Sequence, residues 1–307
     1  MKAAIITAYA APIEIGDVAK PDLQDDSVLV AVQAASVNPL DDLVRSGKIK
    51  DNIPLSFPHV MGYDISGEVV EIGKNVTRCK VGDAVYARPN QDDAGAIAEF
   101  ARVKASELAM KPQTLSHVEA ASVPLAGLTA WQALIIRGKL KAGEKVLIHA
   151  GSGGVGTFAI QIARHIGARI ATTCSGRNAD LVRRLGADVV IDYETQAFDE
   201  LLSDYDLVFD MLGGDTMRRS FTVLKPGGMM VSIKGQDTDD LTAKYGVRFE
   251  WLMMNPDGPM LGELGALIDA GVVKPVIGRT FPMEQAAAAY EELAHGDSVG
   301  KIVVMVR

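Results

Sequence analysis

The sequence is poor in cysteine and has no long hydrophobic segment. Its two cysteines, Cys79 and Cys174, stand far apart in 307 residues, which excludes a disulfide-stapled fold of the small secreted type. No apolar run reaches the roughly 20 residues that a membrane-spanning helix needs. The first residues also lack the basic and apolar regions of a signal peptide. We therefore expect a cytoplasmic protein with no membrane partner.

Positive charge is also scarce. The formal net charge is −8 and the sequence pI is about 5.2, so we expect no nucleic-acid partner and no anionic membrane surface. Hydrophobic residues make up 48% and charged residues 23% of the chain, which is ordinary for a globular protein. A chain of 307 residues is long enough for two domains with a large core.

A glycine-rich stretch near the middle of the chain is the most informative motif. Residues 146–148 form a short apolar run that predicts a buried strand, and apolar residues recur with helical spacing over 155–166. Between them, Gly151, Gly153 and Gly156 fit the pattern G-x-G-x-x-G. Glycine lets a pyrophosphate approach the helix N-terminus, where free N–H groups favour negative charge. The motif therefore predicts a dinucleotide site.

Strand and helix patterns alternate after this motif. We predict strands at 168–173, 189–191, 206–212 and 229–233 and helices at 178–185 and 216–224. Such alternation predicts an α/β fold with a doubly wound parallel sheet. A phosphate-binding P-loop is the nearest rival, but Thr157 stands where that motif requires lysine.

The residues after the second strand of this region indicate which dinucleotide binds. An enzyme that uses NAD normally places an acidic residue there to hold the ribose 2′-hydroxyl. In this sequence no acid appears before Asp180, whereas Ser175 and Arg177 can bind a 2′-phosphate. We therefore predict NADPH as the cofactor.

The first third of the chain has short β signals, and the last part is mixed. We predict strands at 3–7, 27–34, 65–72 and 84–87, two helices within 116–134 that are separated at Pro124, a polar loop at 236–240, helices at 261–270 and 283–294, and a strand at 301–306. The glycine, proline, asparagine and aspartate residues between the early strands favour a mostly antiparallel, barrel-like module.

Several motifs in a shared order resemble the medium-chain dehydrogenase/reductase superfamily. They are Ser36-Val-Asn-Pro-Leu-Asp41, Arg45-Ser-Gly47, Pro58-His-Val-Met-Gly-Tyr-Asp-Ile-Ser-Gly67, Val81-Gly-Asp83, Ala150-Gly-Ser-Gly-Gly-Val-Gly156, Leu185-Gly-Ala-Asp188, Leu224-Lys-Pro-Gly-Gly228 and Gly300-Lys-Ile-Val303. Within the superfamily the chain is similar to the zinc-independent quinone oxidoreductases and the enone (alkenal) reductases. One departure is Leu43, since bacterial quinone reductases often carry tyrosine at this position.

The resemblance implies a Rossmann-type domain inserted into a mostly β, GroES-like barrel. The expected boundaries are 1–117 for the first part of the catalytic domain, 118–255 for the NADPH-binding domain and 256–307 for the return to the catalytic domain. An active site in the cleft between the domains is implied as well. The family also implies a homodimer formed through edge strands, and residues 229–233 are the expected edge.

The resemblance also bears on zinc. Zinc alcohol dehydrogenases of the superfamily hold a catalytic metal through Cys, His and Cys, and the matching positions here hold Asn38, Tyr63 and Ala126. Amide, phenol and methyl groups cannot replace thiolate and imidazole ligands. The loop 90–99 has no cysteine for a structural zinc, and His59 and His117 have no partner at metal spacing. We therefore expect no metal.

Without a metal, the chemistry implied is hydride transfer from NADPH to a quinone or an α,β-unsaturated carbonyl compound. Conjugation already activates such an acceptor, and the protein need only orient it and hydrogen-bond its oxygen. Tyr63 and Asn38 are the candidate catalytic residues. Asn38 can equally serve as a turn residue before proline, and Tyr63 can simply fill the wall of the cleft.

The resemblance further implies a set of cofactor contacts. These are Asn38 and Thr129 near the nicotinamide; Ser152, Gly153, Gly154, Val155 and Gly156 at the pyrophosphate; Ser175, Arg177 and Tyr193 at the adenosine phosphate; and Leu212, Ser232, Ile233 and Lys234 at later strand ends.

Two other functions remain open from the sequence. A relative that binds NADPH without catalysis would share the same glycine motif, although the acidic charge disfavours an RNA-binding role. An enoyl-thioester reductase would need a basic patch for the carrier phosphate, and no such patch is evident in the sequence.

Overall fold

A computed structural model describes residues 1–90, 95–235 and 238–307. The chain divides into two compact units. The terminal unit combines residues 1–128 and 256–307, and the central unit is residues 129–255. This division falls at 128/129 and 255/256; the domain boundaries expected from the sequence are 117/118 and 255/256, and they stay predictions.

The strands of the terminal unit come from both ends of the chain. They are β1 (Lys2–Ile6), β2 (Glu14–Asp17), β3 (Ser27–Ser36), β4 (His59–Val60), β5 (Asp64–Ile72), β6 (Ala84–Ala87), β7 (Phe100–Lys104), β8 (Leu108–Met110), β15 (Ile277–Pro282) and β16 (Lys301–Met305). The strands of the central unit are β9 (Lys145–Ile148), β10 (Arg169–Cys174), β11 (Val189–Asp192), β12 (Tyr205–Asp210), β13 (Leu224–Ser232) and β14 (Arg248–Trp251).

The helices follow the same division. The terminal unit holds α1 (Pro39–Arg45), α2 (His117–Ala121), α9 (Gly258–Asp269) and α10 (Ala286–Ala294), and α3 (Pro124–Trp131) runs across the boundary at 128/129. The central unit holds α4 (Gly154–Ile166), α5 (Ala179–Leu185), α6 (Phe198–Leu201), α7 (Gly214–Ser220) and α8 (Asp239–Tyr245). None of the helices in the described residues combines the length and the apolar composition that a membrane span requires.

The central unit is a six-stranded sheet in the order β11-β10-β9-β12-β13-β14. Every neighbouring pair is parallel, as the alternating strand and helix patterns predict. The strand order reverses beside β9, which is where doubly wound sheets bind their ligands. The inner strands are buried, with Val146, Leu147 and Val208 inaccessible to solvent.

The glycine-rich turn has its sequence for steric reasons. A Cβ atom on Gly151 would overlap Thr172 Oγ1, and one on Gly156 would overlap the carbonyl oxygen of Ala150. These two glycines therefore let the turn pack against β10 and against itself. The α4 helix then begins with Gly153 as N-cap and ends at Gly167, which has φ 86°, a conformation that glycine adopts at little cost.

The main sheet of the terminal unit has the order β15-β16-β3-β5-β6-β8, with β7 also paired to β3. These pairings are antiparallel except that of β15 with β16. A smaller sheet has the order β2-β1-β4. A core of alternating inward residues, including Val30, Val32, Ile65 and Val304, fills the unit. Because β16 pairs with β3, the C-terminal segment completes the sheet that the N-terminal segment begins.

The helical segment after residue 116 is interrupted as predicted. Ser116 and Glu119 form a capping box at the start of α2, in which each side chain bonds the backbone of the other. Pro124 stands at the first position of α3, where its missing N–H costs nothing. A π-helical turn, Gln132–Arg137, extends α3.

Two predictions about the later segments are wrong. Residues 229–233 are not an edge, because β13 pairs with both β12 and β14, and the edge strand is β14, Arg248–Trp251. The predicted loop 236–240 overlaps α8, which begins at Asp239, and its residues 236 and 237 lie outside the described residues. Residues 91–94 of the predicted loop 90–99 lie outside them as well.

Candidate cofactor site and buried polar network

The N-terminus of α4 offers a set of backbone donors. The first intrahelical bond runs from Thr157 N to Gly153 O at 3.0 Å, so the N–H groups of Gly154, Val155 and Gly156 have no acceptor within the helix. Gly153 brings no side chain to cap them. An uncapped helix start of 13 residues suits a pyrophosphate, since the helix dipole favours negative charge there. The residues present fit the predicted dinucleotide.

A hydrogen-bonded polar cluster lies beside this helix start, at the carboxyl ends of β9 and β10. Asn178 Nδ2 donates to Ser152 Oγ at 3.2 Å and to Ser175 Oγ at 3.1 Å. The structure thereby brings together two predicted residues from different loops, and both are largely buried. Arg177 is exposed in the same segment, and Tyr193, with 62% of its surface exposed, donates its N–H to Cys174 O at 3.2 Å.

Another predicted group gathers around a buried carboxylate. Asp210, at the end of β12, accepts from the N–H groups of Leu212 and Gly213 at 3.1 Å and from Ser232 Oγ at 2.6 Å. Ser232 Oγ also accepts from Lys234 N at 2.9 Å. Asp210 is fully buried, and it joins the loops after β12 and β13. The sequence names Leu212, Ser232 and Lys234 but misses the residue that joins them.

A buried histidine, His149, lies at the same carboxyl-terminal end of the central strands. His149 lies between Thr173 Oγ1 at 3.0 Å and Ser220 Oγ at 2.8 Å. Burial lowers the pKa of His149 to about 4, against the opposing effect of Asp210. The imidazole is therefore neutral at pH 7 and acts as a bridge between β9, β10 and α7. Of the other predicted contacts, Thr129 is buried, whereas Ile233 is half-buried.

The terminal unit holds a second polar centre around Asn38. Its Nδ2 donates to Asp64 Oδ2 at 2.9 Å, and its Oδ1 accepts from the ammonium of Lys301. Lys301 Nζ also donates to Val37 O at 3.0 Å and lies 3.5 Å from Asp64 Oδ2. Ser36 Oγ and Leu125 N complete the shell of Asp64 at 2.9 and 2.8 Å.

The burial of this network determines its electrostatics. The side chains of Lys301 and Asp64 are 5% and 0% exposed, and Asn38 is 1% exposed. Burial lowers the pKa of Lys301, while Asp64 opposes that shift. A buried charge requires a partner and full hydrogen bonding, and each of these groups has both. The Asn38 amide is thus engaged on both sides.

Asp41 extends the network to the start of α1. Its Oδ2 accepts from Asn38 N at 3.0 Å and from Tyr290 Oη at 2.9 Å, while its Oδ1 is buried with no hydrogen-bond partner among the described residues. Burial raises the pKa of Asp41 to about 7, against the lowering effect of these hydrogen bonds. The Asp41 carboxyl group therefore titrates near neutral pH.

Tyr63 is more deeply buried than we expect of a residue that contacts a substrate. It is 1% exposed and packs with Val44 and Ile53, and the guanidinium of Arg88 lies 5.0 Å from its ring centre. Its hydroxyl group is buried and has no hydrogen-bond partner within residues 1–90, 95–235 and 238–307. Burial, with a smaller effect of Asp41, raises the pKa of Tyr63. The catalytic roles of Tyr63 and Asn38 stay predictions.

Comparisons with known proteins agree with this architecture. A family model described as "Alcohol dehydrogenase GroES-like domain" matches residues 24–113, and one described as "Zinc-binding dehydrogenase" matches residues 185–304. The zebrafish (Danio rerio) protein "NAD(P)H oxidoreductase RTN4IP1, mitochondrial" is 36% identical, over 92% of this chain and 84% of its own length.

Two further similarities cover nearly the whole chain. The "NADPH-dependent alkenal/one oxidoreductase, chloroplastic" of Arabidopsis thaliana is 37% identical over 92% of this chain and 73% of its own length. The solved structure of the quinone oxidoreductase from Coxiella burnetii superposes with a TM-score of 0.92, 34% identity and coverage of 100% of this chain and 99% of that chain. The chain belongs to the medium-chain dehydrogenase/reductase superfamily, in its quinone oxidoreductase and enone reductase branch.

Membership of this superfamily confirms the predicted combination of a Rossmann-type domain and a GroES-like domain. It also raises the question of zinc, since one matching family model is named for it. No three His, Cys, Asp or Glu residues within 1–90, 95–235 and 238–307 are grouped to hold a metal ion. Burial lowers the pKa of His59 to about 4, and His117 Nδ1 bonds Ser66 Oγ at 2.8 Å. Asn38, Tyr63 and Ala126, which stand at the zinc-ligand positions of the zinc alcohol dehydrogenases, do not fit zinc, because they offer it no thiolate or imidazole group.

Five residues that lie in the candidate cofactor site or in the buried network around Asn38 were not predicted as site residues: Asp41, Asp64, Asn178, Asp210 and Lys301. Lys301 and Asp64 stand within motifs that carry the superfamily resemblance, Gly300-Lys-Ile-Val303 and the segment Pro58 to Gly67, so their signal was present. Asn178 follows Arg177 directly, and the polar run 175–178 is the only hint of its role.

Proposed function

We propose that this chain is an NADPH-dependent oxidoreductase that reduces quinones and α,β-unsaturated carbonyl compounds without zinc. The observation that supports the proposal most is the hydrogen-bonded cluster of Ser152, Ser175 and Asn178 beside the uncapped start of α4. The relatives named above make NAD(P)H the cofactor class. The choice of NADPH is our proposal.

The residues of the central unit bind and orient the cofactor in this proposal. The N–H groups of residues 154–156 hold the pyrophosphate, and Ser175 and Arg177 bind the 2′-phosphate as donor and cation. Asp210 holds the loops after β12 and β13, which such sheets direct at the nicotinamide half. When bound, the nicotinamide supplies a hydride to an electron-poor carbon of the acceptor.

In this proposal the acceptor is activated by its own conjugation, because Asn38, Tyr63 and Ala126 do not fit a metal. In a quinone or an enone, the carbonyl oxygen takes up the negative charge as the conjugated carbon is reduced. A hydrogen-bond donor beside that oxygen lowers the barrier. We propose that the Tyr63 hydroxyl supplies this donor, or the second N–H of the Asn38 amide, whose first N–H binds Asp64; both side chains are buried in the terminal unit.

A Tyr63→Phe variant tests the donor role. If the hydroxyl group contacts the acceptor, kcat falls about 100-fold, which lies within the range for loss of one such donor, while the NADPH dissociation constant is unchanged. Because that hydroxyl has no hydrogen-bond partner among the described residues, we expect its removal to leave stability unchanged. An unchanged kcat would assign Tyr63 to packing only.

Oxidation of NADPH by the purified chain with a quinone, an alkenal, an alkenone and an enoyl thioester tests the function. We expect turnover with the first three acceptors and none with the thioester. Tight NADPH binding with no turnover of any acceptor would support the non-catalytic alternative, and preference for the thioester would support an enoyl-thioester reductase. Activity that is lost on zinc chelation and restored by zinc would refute the zinc-free proposal.

An Arg177→Ala variant tests the choice of NADPH over NADH. Loss of a charge-assisted contact with the 2′-phosphate should weaken NADPH binding about ten-fold and leave NADH binding unchanged. Arg183→Ala is the matched control, since Arg183 pairs with Asp180 on the surface of α5. Equal weakening of both cofactors by Arg177→Ala would remove the support for a 2′-phosphate site.

We also propose a homodimer in which β14 pairs with the same strand of a second copy. This edge strand carries Trp251, which is half exposed, and an open edge favours strand pairing. A Trp251→Lys variant should then sediment as a monomer while the unchanged chain sediments as a dimer. A monomeric unchanged chain would refute the proposal. The predicted cytoplasmic location and the expected absence of nucleic-acid and membrane partners stay predictions.

A further inference from the structure

A carboxylate lies beside the loop that is proposed to bind the 2′-phosphate. Strands β10 and β11 are parallel, and Cys174 pairs in register with Asp192. The N–H of Tyr193 continues this pairing with a bond to Cys174 O at 3.2 Å. Asp192 therefore stands next to the point where β10 passes into the loop with Ser175 and Arg177.

The side chain of Asp192 is directed at the backbone of this loop. A Cβ atom on Gly176 would lie only 2.6 Å from Asp192 Oδ2 and 3.2 Å from its Cγ. Glycine at 176 is therefore what allows the carboxylate to pack there. Gly176 lies between the two proposed 2′-phosphate ligands in the sequence, so the carboxylate packs against the backbone of the segment that carries both.

The orientation of the carboxylate is fixed by its own turn. Oδ1 accepts from Glu194 N at 3.1 Å, and Oδ2 accepts from Thr195 Oγ1 at 3.3 Å. Asp192 is only half-buried, so its remaining lone pairs can accept a bond from a ligand. The carboxylate is thus an acceptor with a fixed orientation that a ligand can reach.

The side chains around this loop favour two different groups at the ribose 2′-position. A carboxylate accepts a hydrogen bond from a 2′-hydroxyl group, as the acidic residue after the second strand does in NAD-binding sheets. The same carboxylate repels a 2′-phosphate, which Ser175 and Arg177 attract. Here the acid comes from the third strand of the unit, β11, and reaches the loop through space.

We propose that Asp192 is a specificity-determining residue of the cofactor site, whose carboxylate accepts the 2′-hydroxyl of NADH and weakens the binding of the NADPH phosphate. The chain then binds both cofactors, with a smaller preference for NADPH than Ser175 and Arg177 alone would give. This inference rests on the proposed function only in that it requires the dinucleotide site.

The test is an Asp192→Asn variant of the full chain, with the dissociation constants of NADPH and NADH measured by isothermal titration calorimetry. We expect NADPH to bind about ten-fold more tightly, because one nearby negative charge is removed, and NADH to bind a few-fold more weakly. The gain for NADPH should shrink at high ionic strength, since salt screens a partly exposed charge. Glu200→Gln is the control, because it removes an equal charge from α6 of the same unit.

Two outcomes would overturn the inference. An unchanged ratio of the NADPH and NADH dissociation constants in Asp192→Asn would show that the carboxylate does not sense the 2′-group. Equal weakening of both cofactors would show a structural role for the turn. If Asp192→Asn does not fold, Asp192→Ser replaces it, since serine keeps a short acceptor for Glu194 N without the charge.

Acceptor turnover does not enter these measurements. If no quinone or enone is reduced but the ratio shifts as expected, the proposed function fails and the role of Asp192 stands.

Discussion

The two polar centres of this protein satisfy their charges in opposite ways. Around Asn38 in the terminal unit, Asp64 and Lys301 bond each other and their neighbours, and all are almost fully buried. At the sheet edge of the central unit, Arg177 and Asp192 are at least partly exposed, and the N–H groups of α4 have no intrahelical acceptor. The first centre is closed by the fold, whereas the second offers groups to a ligand.

The difference indicates that the charges of the first centre are compensated within the protein, whereas the groups of the second centre are available to a ligand. A buried ion pair must be completed within the chain, because an uncompensated charge costs several kcal/mol. An exposed arginine costs little to keep in water, and it can add a charge-assisted contact to a bound anion. Changes in the first centre should therefore lower stability, and changes in the second should alter cofactor binding.

Lys301→Met should give the largest effect on stability. It leaves the buried Asp64 without its cation, and we expect the free energy of unfolding to fall by about 3–5 kcal/mol, measured by urea denaturation. Lys20→Met is the matched control, since Lys20 pairs with Glu71 on the surface and should cost less than about 1 kcal/mol. Equal losses in the two variants would abolish the distinction between a closed and an open centre.

Gly156→Ala should combine a moderate stability loss with a loss of cofactor binding. The new Cβ would overlap Ala150 O, and the strain should cost about 1–3 kcal/mol and displace the donors of α4. Gly262→Ala, in α9, is the control, because no heavy atom lies within 4 Å of its Cβ and alanine should stabilise the helix by up to about 1 kcal/mol. Calorimetric binding of NADPH should disappear in the first variant and persist in the second.

The titration of Asp41 should appear in the pH dependence of stability. Its folded pKa of about 7 lies above the ordinary 3.8, so between these values the folded state holds a proton that the unfolded state has lost. This contribution is complete below the unfolded pKa and is lost as pH rises through the folded pKa, at about 1.4 kcal/mol per pH unit.

An Asp41→Asn variant removes this contribution. Its free energy of unfolding, measured from pH 4 to 8 and compared with that of the unchanged chain, should gain relative to the chain as pH rises to about 7 and then level off. A difference that does not vary with pH would show that Asp41 stays charged.

Asn178→Ala should give the smallest effect. It removes the bonds to Ser152 and Ser175, which are worth about 1 kcal/mol at a partly exposed site, and we expect about five-fold weaker NADPH binding with little change in stability. Asn75→Ala, at an exposed turn, should change neither quantity. A stability loss in Asn178→Ala larger than the binding loss would show that this polar cluster is structural, like the centre around Asn38.

Local patterns were sufficient for the first elements of the central unit, but they missed α6, α8 and β14. The apolar run before Gly151 and the helical spacing after it predict β9 and α4 to within about one residue because both elements are buried on a regular period. Short strands were missed, for example β4, His59–Val60, and β8, Leu108–Met110. These are too short for a period, and they exist because a neighbouring strand pairs with them.

The sequence by itself determined the glycine turn, the free N–H groups at the start of α4 and the alternation that forms the parallel sheet, since each follows from sterics and periodicity within a few residues. Only the tertiary structure decided the partners of buried charges and the neighbours of the proposed ribose site. Lys301 meets Asn38 across 263 positions of the chain, and Asp192 reaches Gly176 from the adjacent strand. Strand pairing makes these contacts, and no spacing along the chain specifies them.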